Sequence, residues 1–172
     1  MSDLRVLVMM GSDSDLTVMA EAARVLTKLE IGHEAVVTSA HRSPARTTEI
    51  VKQAPGRGVR VFIVGAGAAA HLAGVVAAHT TLPVLGVPLA SSDLNGLDAL
   101  LATVQMPAGI AVGCMAIGKA GAANAAWLAA SILSVSDQRL AERLTGERRM
   151  MAEKVVAKSA AAQTRLDELL SS

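Results

Sequence analysis

The sequence predicts an α/β fold, a doubly wound parallel sheet in three layers followed by a C-terminal helical tail. Three observations carry this. Strand-like apolar runs at 5–10, 34–38, 59–64, 82–88 and 109–114 alternate with segments of helical period. Several runs are apolar without interruption, as strands covered on both faces require. The 172 residues, 52% apolar and 18% charged, are enough for one full core and far from the composition of disordered chains. Parallel strands joined by helices need right-handed crossovers, and such sheets bind ligands beyond the carboxyl ends of their strands.

Each element has its own signal. After the first run, Leu16, Met19, Ala20, Ala23, Leu26 and Leu29 form an apolar stripe at helical spacing. Ser43-Pro44 reads as an N-cap followed by proline at the first helical position, which opens a second helix. Between Val61 and Ser136 only Asp93, Asp98 and Lys119 are charged. The stretch 61–92 is long enough to cross a bilayer, but Gly65, Gly67, Gly74, Pro83, Gly86 and Pro88 cut it into strand and short-helix lengths. A buried sheet is expected, not a membrane span. So few charges on Ala-rich helices leave more apolar surface than a monomer exposes, and extensive subunit contact is expected. From Asp137 the chain turns charged and helical, with Leu140, Leu144, Met151, Val155, Ala162 and Leu166 on one stripe and Gly146 expected to bend or break it. Residues 1–136 therefore read as a single catalytic domain, and 137–172 as an extension packing on its own or a neighbouring subunit.

Composition also excludes function classes. A formal charge of +1 gives no strong attraction to nucleic acid or an anionic membrane. Cys114 is the single cysteine, and no charged-then-apolar segment precedes the first strand, so a cytoplasmic protein is expected. His71 and His79 are eight apart with no acidic residue between them, unlike a zinc helix, and no nucleophile elbow is present. No metal site and no Ser-His-Asp triad are predicted.

The loops after the strands carry the candidate chemistry. Gly11-Ser12-Asp13-Ser14-Asp15 precedes a helix directly, which suits an anion at free backbone amides or ordinary capping. Asp15 suits a ribose diol. In Ser39-Ala40-His41-Arg42 a histidine able to exchange protons near neutral pH stands beside a fork-shaped cation suited to phosphate. Gly65-Ala66-Gly67-Ala68-Ala69-Ala70 matches the dinucleotide fingerprint, with Asp93 after the next strand, but it follows the third strand, not the first. The same small residues also permit tight packing or a small apolar cavity. Polar islands around Asn95, Gln105, Lys119 and Asn124 read as buried turns or subunit contacts, and a buried Lys119 would need a partner.

These motifs together resemble a known family. Gly11-Ser-Asp-Ser-Asp15, Ser39-Ala-His-Arg-Ser-Pro44, Ala66-Gly-Ala-Ala-Ala-His-Leu72, Pro83-Val-Leu-Gly-Val-Pro88, Val104-Gln-Met-Pro107 and Ala116-Ile-Gly-Lys-Ala-Gly-Ala-Ala-Asn124 resemble, in order and spacing, the bacterial class I N5-carboxyaminoimidazole ribonucleotide mutases of purine synthesis. Ala73 departs from the family's usual proline, and the tail beyond Thr145 matches loosely. The resemblance implies a flavodoxin-like homo-octamer, a cofactor-independent isomerase, and a ribonucleotide substrate. It implies that Ser12, Asp15 and Arg42 bind the nucleotide, with Ser39 near the phosphate and His41 as acid and base. The small apolar loop from Ala66 to Leu72 would wall in released carbon dioxide, with His71 nearby as a polar contact. Alternatives are the related carboxylase that uses free carbon dioxide, a dinucleotide-binding module and a purely structural oligomer.

Overall fold

The structure, a computed structural model, describes residues 3–171. One parallel sheet holds β1 (Leu4–Met10), β2 (Gly32–Val37), β3 (Val61–Gly67), β4 (Val84–Leu89) and β5 (Gly113–Cys114), in the order β2-β1-β3-β4-β5. The helices are α1 (Leu16–Lys28), α2 (Pro44–Gln53), α3 (Leu72–Ala78), α4 (Leu97–Val104), α5 (Lys119–Ser134) and α6 (Gln138–Leu170). This is the flavodoxin-like order. The chain divides into two compact units, one ending at Leu133 and one beginning at Ser134.

Strand order and crossover handedness assign the helices to layers. Moving from β1 outward to β2 and then back past β1 to β3 sends α1 to one face and α2 to the other. Leu7 and Met9 of β1 and Phe62 and Val64 of β3 accordingly share a core with Val51 of α2, Val76 of α3 and Ala99 of α4. On the opposite face Val6, Val8 and Met10 are equally buried. There α1 approaches so closely that a Cβ at Gly65 would meet Met19 Sδ at 2.4 Å. Lys28 of α1 lies 5.8 Å from the Trp127 ring of α5, so α5 shares that layer. The uncharged stretch is thus β3, α3 and β4, and among the described residues no helix is long and apolar enough to cross a membrane.

Several boundaries differ from the sequence expectation, each for a physical reason. β3 runs on through Gly65-Ala66-Gly67, which pair with Val87, Pro88 and Leu89 of β4. The glycines of the supposed dinucleotide loop are therefore inside a strand, where they cannot form that fingerprint's phosphate-cradling turn. β5 has two residues where six are expected, because Pro107–Ile110 close a turn and Gly109 takes a left-handed φ of 95°. Ile110 and Val112 still pack on the core from the loop. α6 passes through Gly146 unbroken. A helix-interior glycine costs only about 1 kcal/mol, which does not interrupt a helix of this length.

Candidate active site

At the carboxyl ends of β1 to β4, where the strand order reverses between β1 and β3, lies a cavity of about 280 Å³. Open α/β sheets place ligands at this point because the two loops leave for opposite faces and part there.

The loop after β1 supplies Ser12, Ser14 and Asp15 to the lining. Its shape is a capping box: Ser12 Oγ accepts from the Ser14 amide at 3.3 Å, and Asp15 Oδ2 accepts from the Ser12 amide at 3.0 Å. Capping and cavity lining are therefore performed by the same residues. A carboxylate offers about four lone-pair sites, so Asp15 keeps acceptor capacity for a ligand hydroxyl. Burial pushes its carboxyl above the ordinary carboxylate value; the Ser12 amide opposes this, and the like charge of Asp13 adds to it.

That shift predicts a pH dependence. A folded state that holds the Asp15 proton more tightly has this stabilisation in full below the ordinary carboxylate value and loses it as pH rises through the raised one. Asp15→Asn should therefore gain stability relative to the parent between about pH 3 and about pH 7, as read by urea unfolding at both ends. A difference constant across that range would show that Asp15 is not held in a desolvated place.

After β2 the backbone is pinned before it delivers its functional side chains. The Thr38 amide continues the ladder to Met10 O at 2.9 Å, and Thr38 Oγ1 meets Thr47 Oγ1 of α2 at 2.8 Å. Ser43 occupies the N-cap position with Pro44 in the first turn, as predicted, but its hydroxyl turns back to Ser39, accepting from the amide and donating to the carbonyl, both at 3.1 Å. Ser39 Oγ accepts from the Arg42 amide at 3.1 Å and retains its own hydrogen for donation. His41 and Arg42 stand exposed at the lip of the cavity. Among the described residues no hydrogen bond or ion pair occupies the Arg42 guanidinium.

The β3 end and the loop after it bring Ala66, Gly67, Ala69 and Leu72, an apolar wall opposite the polar loops. Two tight turns, Ala70 N to Ala68 O and His71 N to Ala69 O, both 2.8 Å, and a left-handed Ala68 with φ of 50° reverse the chain into α3. Ser91, two residues past β4, completes the rim. Its loop is tied down by Ser92 Oγ, which donates to Asp98 Oδ2 at 2.7 Å.

Of the residues predicted from sequence, Ser12, Asp15, Ser39, His41, Arg42, Ala66 and Leu72 line one cavity. His71 stands outside the lining, with Nδ1 2.9 Å from His41 Nε2. Ser91 was missed, although a serine just past a strand's carboxyl end is the signal that singled out the others. Asn95, Gln105, Lys119 and Asn124 are exposed in the single chain, so they are not buried turns of its own core, and Lys119 begins α5 at the chain's surface. Burial raises the Cys114 thiol, which keeps it protonated and unsuited to nucleophilic work. Among the described residues no three His, Cys, Asp or Glu side chains converge to hold a metal ion. A wider cleft of about 990 Å³ near Lys52, His79 and Pro83 lies at the amino end of β4, away from these groups.

Fold and site together define a class: a flavodoxin-like α/β protein whose switch-point cavity joins a capped serine–aspartate turn to a histidine and an arginine. Within that class, the chain belongs to the AIR carboxylase family, whose model matches residues 5–154. It is 49% identical to the N5-carboxyaminoimidazole ribonucleotide mutase of Escherichia coli over 152 residues, 88% of this chain and 90% of that one. The protein of the same name from Brucella melitensis is 51% identical over 150 residues, 87% of this chain and 93% of that one. The crystal structure of Treponema denticola PurE matches with a TM-score of 0.80 at 27% identity, covering 88% of this chain and 94% of that one.

Proposed function

We propose that the chain is a 5-(carboxyamino)imidazole ribonucleotide mutase of purine biosynthesis, an isomerase that moves a carboxylate from the exocyclic nitrogen to the adjacent ring carbon. The observation that carries this is the meeting, in one cavity, of His41 with the Ser12–Asp15 turn, Arg42 and an apolar wall. Relatives about half identical along most of the chain bear the mutase name.

Chemistry makes one proton carrier sufficient. A carbamate sheds carbon dioxide once its nitrogen is protonated, the bonding pair staying with the nitrogen. The electron-rich ring carbon then bonds to the carbon dioxide, and the proton on that carbon must leave to restore aromaticity. His41 gives the first proton and takes the last, so no net acid or base is consumed. This route calls on no metal, ATP or biotin. Arg42 and Ser39 hold the phosphate, Ser12 and Asp15 the ribose side, and Ala66, Ala69 and Leu72 confine the carbon dioxide and keep water away. His71, outside the cavity lining, serves as a polar contact that reaches the site through His41. The decisive assay follows the carbamate nucleotide in carbonate-depleted buffer without ATP. Conversion is expected, and no conversion until bicarbonate is added would favour the carboxylase reading that the family's description suggests.

Arg42→Ala should weaken nucleotide binding by about 1.5–3 kcal/mol, the range for a charge-assisted contact, with turnover at saturation little changed. Calorimetric titration reads this, and unchanged affinity would remove the phosphate role. We place the enzyme in the cytoplasm as a homo-octamer, with residues 137–172 packing on their own or a neighbouring subunit. The outer face of α4 supports association: Leu97, Leu101 and Val104 are each about half exposed in a single chain. Equilibrium sedimentation should give eight chain masses, and a monomer at micromolar concentration would overturn this.

A further inference from the structure

His41 and His71 come from different loops, yet His41 Nε2 lies 2.9 Å from His71 Nδ1, with ring centroids 5.1 Å apart and planes at 79°. His41 lines the cavity; His71 does not. We infer that His71 is a positioning residue acting through His41: it commits Nε2 of that ring to itself, leaves Nδ1 as the working nitrogen, and shares the ring's positive charge. This rests on the reading of His41 as the proton carrier.

The proton count supports the assignment. A hydrogen bond between two imidazole nitrogens needs one proton between them, so a neutral pair or a singly charged pair satisfies it and two imidazolium rings do not. In the singly charged pair one proton is shared, one sits on His41 Nδ1 and one on His71 Nε2. When the His41 Nδ1–H bond breaks and its proton passes to the carbamate nitrogen, the shared proton settles on His41 Nε2. Both rings are then neutral, their mutual bond is intact, and the Nδ1 lone pair is free. Taking up the proton from the carboxylated ring carbon restores the starting state. Without His71 the His41 ring can turn, and either nitrogen can hold the proton.

The surroundings leave this role to His71. Asp15 on the first loop and Arg42 on the second are the charged groups of the cavity lining; the contributions from β3, the loop before α3 and β4 are neutral. Thr38, Ser43 and Thr47, which pin the loop carrying His41, bond to one another and to Ser39, not to the ring. The ring's orientation therefore depends on His71.

Two variants of the full chain test this. His71→Leu removes the partner, and His71→Asn keeps an amide near the place of Nδ1 without a group that can carry the charge. His71→Leu is expected to lower kcat at least about tenfold with KM within about threefold, and to move the alkaline limb of the pH–kcat profile to lower pH. His71→Asn should recover part of kcat but not the profile. In the ligand-free parent, ¹⁵N-labelled histidine should show a coupling across the hydrogen bond between the two rings, absent in His71→Leu. Unchanged kcat and profile in both variants, or no inter-ring coupling in the parent, would overturn the assignment. If the leucine variant does not fold, the asparagine profile and the parent's coupling decide. The coupling is read without substrate, so a parent that shows it but converts no carbamate nucleotide overturns the mutase reading and leaves the pair standing.

Discussion

His41→Asn leaves nucleotide binding within about tenfold of the parent and lowers turnover by about 10²–10⁴-fold. The split follows from how the site is built. The groups assigned to binding, Ser12, Asp15, Ser39 and Arg42, are held by contacts that do not pass through the His41 ring. The loop itself stands on the Thr38–Thr47 and Ser39–Ser43 hydrogen bonds, which the substitution leaves alone. An amide fills much of the imidazole's place and can form hydrogen bonds, but it cannot give up a proton and take one back within a catalytic cycle. Binding is read by calorimetry with the product nucleotide and turnover by single-turnover conversion of the carbamate. Near-normal turnover would put the proton carrier elsewhere, and a loss confined to KM would make His41 a binding group only.

The sequence makes part of this site readable because of where it lies. In a parallel sheet, ligand-facing loops follow the strands, so polar residues stranded after apolar runs, Ser12, Asp15, His41 and Arg42, stand out one loop at a time. Local signals also located α1 and the start of α2. What stayed hidden depends on elements distant in the chain. The His41–His71 bond joins residues 30 apart, and nothing in either loop encodes their approach. Glycines in Gly65-Ala66-Gly67 look like loop from their own neighbours and are strand because β4 pairs with them. Lys119 looks buried because its sequence neighbours are uncharged, yet a helix's first residue can stand at the surface of its own chain whatever surrounds it in sequence.

Gly67→Ala is expected to lower kcat/KM about a hundredfold and stability by about 1–3 kcal/mol, though position 67 holds no catalytic group. A Cβ there would stand 1.8 Å from Ser91 Oγ, 2.8 Å from Ser91 Cβ and 3.1 Å from Leu89 O. Turning the Ser91 hydroxyl aside relieves only the first of these. The ends of β3 and β4, paired at Gly67 and Leu89, must then separate, carrying the Ala66 wall and Ser91 away from His41 across the cavity. Reaction between held groups is sensitive to displacements near 1 Å, so the effect falls on catalysis as well as on folding. Ser91→Gly in the same chain removes two of the three obstructions and should recover most of the activity. Gly56→Ala, where a Cβ meets nothing within 4 Å, should leave kcat/KM unchanged and serves as the control. Full activity in Gly67→Ala would mean that the apolar wall yields freely, and that confinement of carbon dioxide by a rigid strand end is not part of how this site works.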